Sequence, residues 1–165
     1  ALRGARWQEI DLDAATWTVP AERMKSGREH RLPLPRQAVL VFKDLAKLTG
    51  SKPGTFVFAS VGKSGYLAEN TLRLALHRLG FKVTAHGFRS LLTDKLNLAG
   101  FNPDWIERQL DHVMKDKTRA AYPRTDFFEH RRPMMQWLAD WAEAERNETA
   151  KPELPDNVVA LRRVA

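Results

Sequence analysis

Apolar residues change their spacing several times along this chain, and each change marks an element. Residues 1–7 place Ala1, Leu2, Ala5 and Trp7 at helical spacing, which predicts the last turns of a helix. Residues 8–13 hold room for a short strand, and residues 16–20, Thr-Trp-Thr-Val-Pro, are rich in the β-branched and aromatic side chains a strand favours. Lys25-Ser26-Gly27 reads as a turn. Residues 30–34 then alternate apolar and polar positions as a third strand, whose prolines suit a sheet edge. From residue 35 to 48 the period becomes helical, with Val39, Phe42 and Leu45 on one stripe and Gly50 as its stop. A brief apolar segment, Phe56-Val57-Phe58, and a Gly/Ser loop over residues 60–65 lead into a helix expected over residues 67–79, ending at Gly80. Another helix begins near His86 and runs through Leu91, Leu92 and Leu96 to Gly100. Asn102 and Pro103 form a cap and first-turn pair for the next, whose core residues are Trp105, Ile106 and Leu110. A final amphipathic helix carries Phe127, Phe128, Met134, Trp137, Leu138 and Trp141. Beyond Glu148 the chain turns Pro- and charge-rich, a loosely held tail in which residues 157–161 retain enough apolar character to dock. The pattern predicts a mainly α protein with a small antiparallel β-sheet, an α+β fold, and it contains no internal repeat.

Composition narrows the chemistry. The 165 residues include no cysteine, which excludes disulfides, thiolate metal sites and cysteine nucleophiles. The five histidines are scattered without metal-ligand spacing, so neither a metal nor another cofactor is expected. No apolar run approaches the ~18 residues of a membrane helix, and no signal peptide opens the chain, so a cytoplasmic setting without membrane contact is expected. Net charge is +7 with a pI near 10.0, which points to a polyanionic partner such as nucleic acid. Up to Pro133 there are 23 Lys and Arg against 14 Asp and Glu, while from Met134 onward there are 4 against 6. The basic surface belongs to the body and not to the tail.

Against that background the stretch Ala85-His86-Gly87-Phe88-Arg89 stands out. A helix starting near His86 projects His86 and Arg89 from one face at i and i+3, beside unpaired backbone N–H groups and a partial positive charge. Thr84 is placed to cap that start. An arginine fork there matches phosphate oxygens bidentately. The competing reading is a buried histidine bonded to backbone beside a surface arginine. Lys25, at the tip of the second hairpin, is either a reaching ammonium or a solvated charge. Lys63 and Arg73 are candidate nucleic-acid contacts, set against the default of solvated charges, and His77 has no partner in sequence and is assigned a structural place.

Lys25, His86-x-x-Arg89, Leu110-Asp111-His112 and Tyr122 together, in this order, resemble the catalytic domain of the tyrosine recombinases, the phage integrase family. The resemblance reaches to about Trp141. The opening Leu-Arg-Gly-Ala-Arg-Trp and the closing Tyr122-Pro123-Arg124 and Arg131-Arg132-Pro133-Met134 are most similar to integrases of prophages, satellite phages and genomic islands. The resemblance implies the fold of DNA breaking-rejoining enzymes and a catalytic set of Lys25, His86, Arg89, His112 and Tyr122. Tyr122 would attack a phosphodiester to give a 3′-phosphotyrosyl bond and a free 5′-hydroxyl, with no cofactor, and Lys25 would protonate the leaving oxygen. Double-stranded DNA at attachment sites would be the substrate, bound by a homo-tetramer with accessory DNA-bending or directionality factors. A type IB topoisomerase shares this chemistry and is the nearest alternative; a non-catalytic DNA-binding module on the same fold is the other.

Two departures from the family pattern remain. Asp111 stands before His112 where the family often has a small residue. The family's first arginine, in an Arg-x-x-Glu-Leu pattern, would fall three residues before Ala1, and neither Arg3 nor Arg6 matches it. Residues 1–148 are therefore expected to be an N-terminally truncated catalytic domain, with residues 149–165 a tail that is either flexible or exchanged between protomers.

Overall fold

The structure, a computed structural model, describes residues 2–112, 126–155 and 158. It divides into two compact units, Ala1–Arg89 and Ser90–Ala165.

The first unit is built on a three-stranded antiparallel sheet in the order β1 (Ile10–Asp11), β2 (Thr16–Val19), β3 (His30–Pro33), with Ile10 opposite Trp17 and Val19 opposite His30. The Asp11 carboxylate turns the chain between β1 and β2 by accepting the N–H groups of Asp13 and Ala14 at 3.1 and 2.8 Å. β3 is an edge, which accommodates Pro33. Helix α1 (Arg36–Thr49) follows, and Gly50, at φ 73°, ends it in a conformation a side chain disfavours. Phe42, buried on the expected stripe, meets the Trp7 ring edge-on at 6.4 Å in a core shared with Ala5, Trp17, Val19 and Val57.

The opening segment departs from the expected helix. It forms short 3₁₀ turns at Leu2–Gly4 and Trp7–Glu9, separated by extended backbone at Arg6 that pairs with Phe56. Val57 donates to the Ala5 carbonyl at 2.9 Å and Trp7 to the Thr55 carbonyl at 3.1 Å, bonds that a continuous helix would forfeit. Burial accordingly runs with period two, Ala5, Trp7 and Glu9 inside and Arg6 and Gln8 further out.

Helix α2 (Thr71–Arg78) starts four residues later than its leucine pattern suggests, because Leu67 donates to the Phe58 carbonyl and Tyr66 bridges to Ala59. It buries none of its residues, and His77 is exposed on it.

Helix α3 (Ala85–Leu98) begins in the first unit and continues into the second. The second unit packs the later part of α3 with α4 (Pro103–Gln109) and α5 (Phe128–Asn147) around Leu96, Phe101, Trp105, Ile106, Leu110 and Met134. Asn102 caps α4 as expected, its Oδ1 accepting the Asp104 N–H at 2.8 Å. The segment after α5 lies back on this unit: Trp137 Nε1 donates to the Pro152 carbonyl at 3.3 Å, Lys151 pairs with Glu145 at 2.9 Å, and Leu154 and Val158 pack against the core. Among the described residues no helix is long and apolar enough to cross a membrane.

Candidate active site

Thr84 does cap α3. Its Oγ1 accepts the Gly87 N–H at 3.1 Å, which fixes the first turn. His86 is exposed on that turn and Arg89 is half-buried one turn further on. This is the reverse of a buried histidine beside a surface arginine. An exposed imidazole, a guanidinium anchored partway into the protein and a helix N-terminus make a surface that attracts an oxyanion.

Lys25 belongs to the same unit, on the connection between β2 and β3. A 3₁₀ turn at Ala21–Arg23 is followed by a tight turn closed by the Gly27 N–H on the Met24 carbonyl at 3.1 Å, with Gly27 at φ 65°. Lys25 and Ser26 occupy its two central positions, and the Lys25 side chain is exposed. The base of the connection is held by an ion pair between Arg23 and the buried Glu9, whose carboxylate also accepts the Trp17 Nε1–H at 3.1 Å.

His112 lies in the second unit, just past α4. The Asp111 N–H bonds the Arg108 carbonyl at 3.3 Å and the His112 N–H bonds the Glu107 carbonyl at 3.1 Å, while Asp111 takes φ 52°. These are the paired bonds of a helix stop whose turning residue is left-handed, a place usually given to glycine. The position before the histidine is therefore set by backbone conformation, and aspartate is among the side chains that tolerate it. The imidazole Nδ1 lies 2.8 Å from Glu107 Oε2, which orients the ring and leaves Nε2 for another partner. Tyr122 lies outside the described residues.

The sequence reading missed Glu107 and, more consequentially, a buried charged cluster of Arg131, Asp126 and Gln109. A signal was present: Arg131 falls at i+3 from Phe128 and i−3 from Met134, on the apolar stripe of α5. Among the described residues no cluster of His, Asp or Glu is arranged to hold a metal ion.

A three-stranded antiparallel sheet followed by helices, with a capped His-x-x-Arg turn, is the fold of phage integrases. The integrase from mycobacterium phage Brujita superposes with a TM-score of 0.60 at 20% identity, over 82% of this chain and 44% of that one. The sequence profile of the phage integrase family matches residues 1–129, and the chain belongs to that family. It is 43% identical over 143 residues to the prophage integrase IntA of Escherichia coli, covering 85% of this chain and 34% of the relative. It is 32% identical over 144 residues to the integrase of Shigella phage Sf6, covering 85% and 37%. The chain thus spans about a third of the length of the curated relatives it matches.

Proposed function

We propose that this chain is the catalytic portion of a site-specific recombinase that cuts and rejoins double-stranded DNA to integrate or excise a prophage or genomic island. The observation that carries the reading is the exposed His86 on the capped first turn of α3, with the half-buried Arg89 one turn further on, in a phage integrase family chain. The +9 net charge up to Pro133 supports a phosphodiester substrate.

In this reading the Tyr122 phenol oxygen attacks phosphorus and forms a phosphotyrosyl bond as the bond to the 5′-oxygen breaks. Lys25 gives its proton to that leaving oxygen, so its exposed place on a tight turn is a place from which to reach. The phenol proton is lost on attack, which a cationic surrounding favours because it stabilises phenolate over a group that ordinarily titrates near 10. Arg89 offsets the charge developing on the non-bridging oxygens. His86 bonds the phosphate and assists proton transfer, while His112, oriented by Glu107, contacts the phosphate or the nucleophile. Re-ligation reverses these steps. The bond energy stays in the phosphotyrosine, and no cofactor is called for. The proposal extends to residues 1–148 as the catalytic portion, to tetramer assembly on DNA with accessory DNA-bending or directionality factors, and to action in the cytoplasm.

The test uses a nicked duplex suicide substrate with this chain alone and with the chain substituted for the matching third of the IntA integrase. A denaturant-stable protein–DNA adduct is expected, lost in Tyr122→Phe with DNA binding retained and slowed about 10²- to 10³-fold in Arg89→Ala. No adduct in either context, or an undiminished one in Tyr122→Phe, overturns the proposal.

A further inference from the structure

Arg131, on the first turns of α5, has no exposed surface. Its Nε donates to the Asp126 carbonyl at 3.0 Å, its Nη2 to the Asp126 carboxylate at 2.5 Å, and its Nη1 to Gln109 Oε1 at 2.8 Å. Arg108 Nε reaches the same Asp126 carboxylate at 3.4 Å. Gln109 is the last residue of α4, and Asp126 stands two residues before α5 begins. One guanidinium therefore ties the exit of one helix to the entry of the next.

The backbone carries a second mark at one end of this span: Phe127, next to Asp126, has φ 51°. Left-handed backbone is uphill for any side chain and more so for phenylalanine. It persists where the surroundings over-determine it. Stability alone does not call for the guanidinium. An apolar side chain at residue 131 would continue the stripe between Phe128 and Met134, and well-packed apolar replacements of buried charge networks are often as stable or more so. What an apolar side chain lacks is a directed bond to each end of the span.

We propose that Arg131 is a positioning residue: through Gln109 and Asp126 it sets the two ends of the span that carries His112 and Tyr122, and so the aim of the nucleophile. This rests on the reading of Tyr122 as the nucleophile. It makes the rate of strand cleavage depend on a side chain that touches neither DNA nor any reacting atom. Gln109 is the handle for testing it, because it is only half-buried and its loss leaves the Arg131–Asp126 bonds in place.

The experiment compares the wild-type chain with Gln109→Ala and Gln109→Glu in three measurements. Single-turnover cleavage of the nicked substrate is expected to slow about 10- to 100-fold in Gln109→Ala, with DNA affinity and the urea midpoint unchanged, since small displacements of reacting groups have effects of that size. Gln109→Glu keeps an acceptor for Nη1 and is expected to recover most of the rate. Amide exchange at Asp111 and His112, whose N–H groups close the end of α4 on the Arg108 and Glu107 carbonyls, should quicken about tenfold in Gln109→Ala while α5 keeps its protection. Unchanged exchange at Asp111 and His112 overturns the proposal whether or not the chain cleaves DNA. A rate loss that tracks a general loss of protection, without recovery in Gln109→Glu, overturns it as well, by reducing the cluster to a structural role. An adduct that survives in Tyr122→Phe strikes the functional reading instead, and the exchange measurement then still decides whether Arg131 fixes the span.

Discussion

Each of the two units buries a charge in its core, and the two are buried differently. In the sheet unit it is Glu9, which accepts the Trp17 indole and pairs with Arg23, the Arg23 side chain remaining 23% exposed. In the helical unit it is Arg131, completely enclosed and held to Asp126 and Gln109. Both sit beside candidate catalytic positions: Arg23 lies two residues before Lys25, and Gln109 and Asp126 bracket His112 and Tyr122. In both pairs the partner reaches water, Arg23 at 23% and Asp126 at 28% side-chain exposure, so what distinguishes them is how the buried group is held: Glu9 by a guanidinium and an indole, Arg131 by the Asp126 carboxylate and carbonyl on one side and the Gln109 amide on the other. The sheet unit therefore steadies the base of a turn and leaves Lys25 at its exposed tip. The helical unit gives one guanidinium a bond to residues on either side of a span. A proton donor that must reach a leaving oxygen tolerates the first arrangement; a nucleophile that must line up with phosphorus benefits from the second.

The sharpest way to break this comparison is to remove each buried group. Arg131→Ala opens a cavity and leaves Gln109 Oε1 and the Asp126 carbonyl without their donor, while the partly exposed Asp126 carboxylate keeps Arg108, and it is expected to cost about 2–5 kcal/mol, read from denaturant unfolding with amide exchange assigning the loss to residues 90–165. Glu9→Ala leaves the Trp17 N–H without its acceptor, while Arg23 turns to water, and is expected to cost about 1–3 kcal/mol, localised to the sheet unit. If Glu9→Ala proved the more damaging, the number of bonds each buried group makes would not be what distinguishes the two.

The same contrast separates what the sequence disclosed from what it hid. Available length, β-branched and aromatic composition and one stretch of alternation located the three strands, and period-3.6 apolar spacing with its end signals located α1, α3, α4 and α5, because each of these signals is local to its element. The N-terminus failed the test because residues 2–9 combine two 3₁₀ turns with a single extended residue, so their spacing imitates a helix while the hydrogen bonds go to residues 54–57. Distant backbone partners leave no local trace. The capped His86-x-x-Arg89 turn was legible because a cap, a helix start and an i, i+3 pair are all local. Glu107 and the Arg131 cluster were not: the first depends on Asp111 reversing the chain, and the second joins residues 18 and 22 positions apart across the α4–α5 connection, Arg108 with Asp126 and Gln109 with Arg131. Arg131 on an apolar stripe was the one visible hint, and reading it required treating a charged residue as part of the core.

The smallest expected effect concerns the segment after α5, where the charge arrangement is wholly on the surface. Glu145 is held below the usual glutamate pKa, first by the hydrogen bond from the Lys151 ammonium, which desolvation opposes as the next largest effect, and then by the positive charges of Lys151 and Lys95 and a hydrogen bond with Trp141. Lys151 sits one residue before Pro152, whose carbonyl accepts the Trp137 indole, so the ion pair and the indole bond hold the same stretch of chain against α5. A carboxylate whose folded pKa is depressed contributes its stabilisation above its unfolded pKa of about 4.3 and loses it as the pH falls through the folded value. The contribution should therefore be present at neutral pH and fade only in acid. Carboxyl-selective NMR should place the Glu145 midpoint below that of an ordinary glutamate, and Lys151→Gln should return it toward the ordinary value while loosening residues 149–155 slightly in amide exchange. Because the pair is solvated, the loosening should shrink further in high salt, which the enclosed Arg131 cluster should resist. A Glu145 midpoint that is ordinary in the wild type, or indifferent to Lys151→Gln, would leave the Trp137–Pro152 bond and the packing of Leu154 and Val158 as what holds this segment in place.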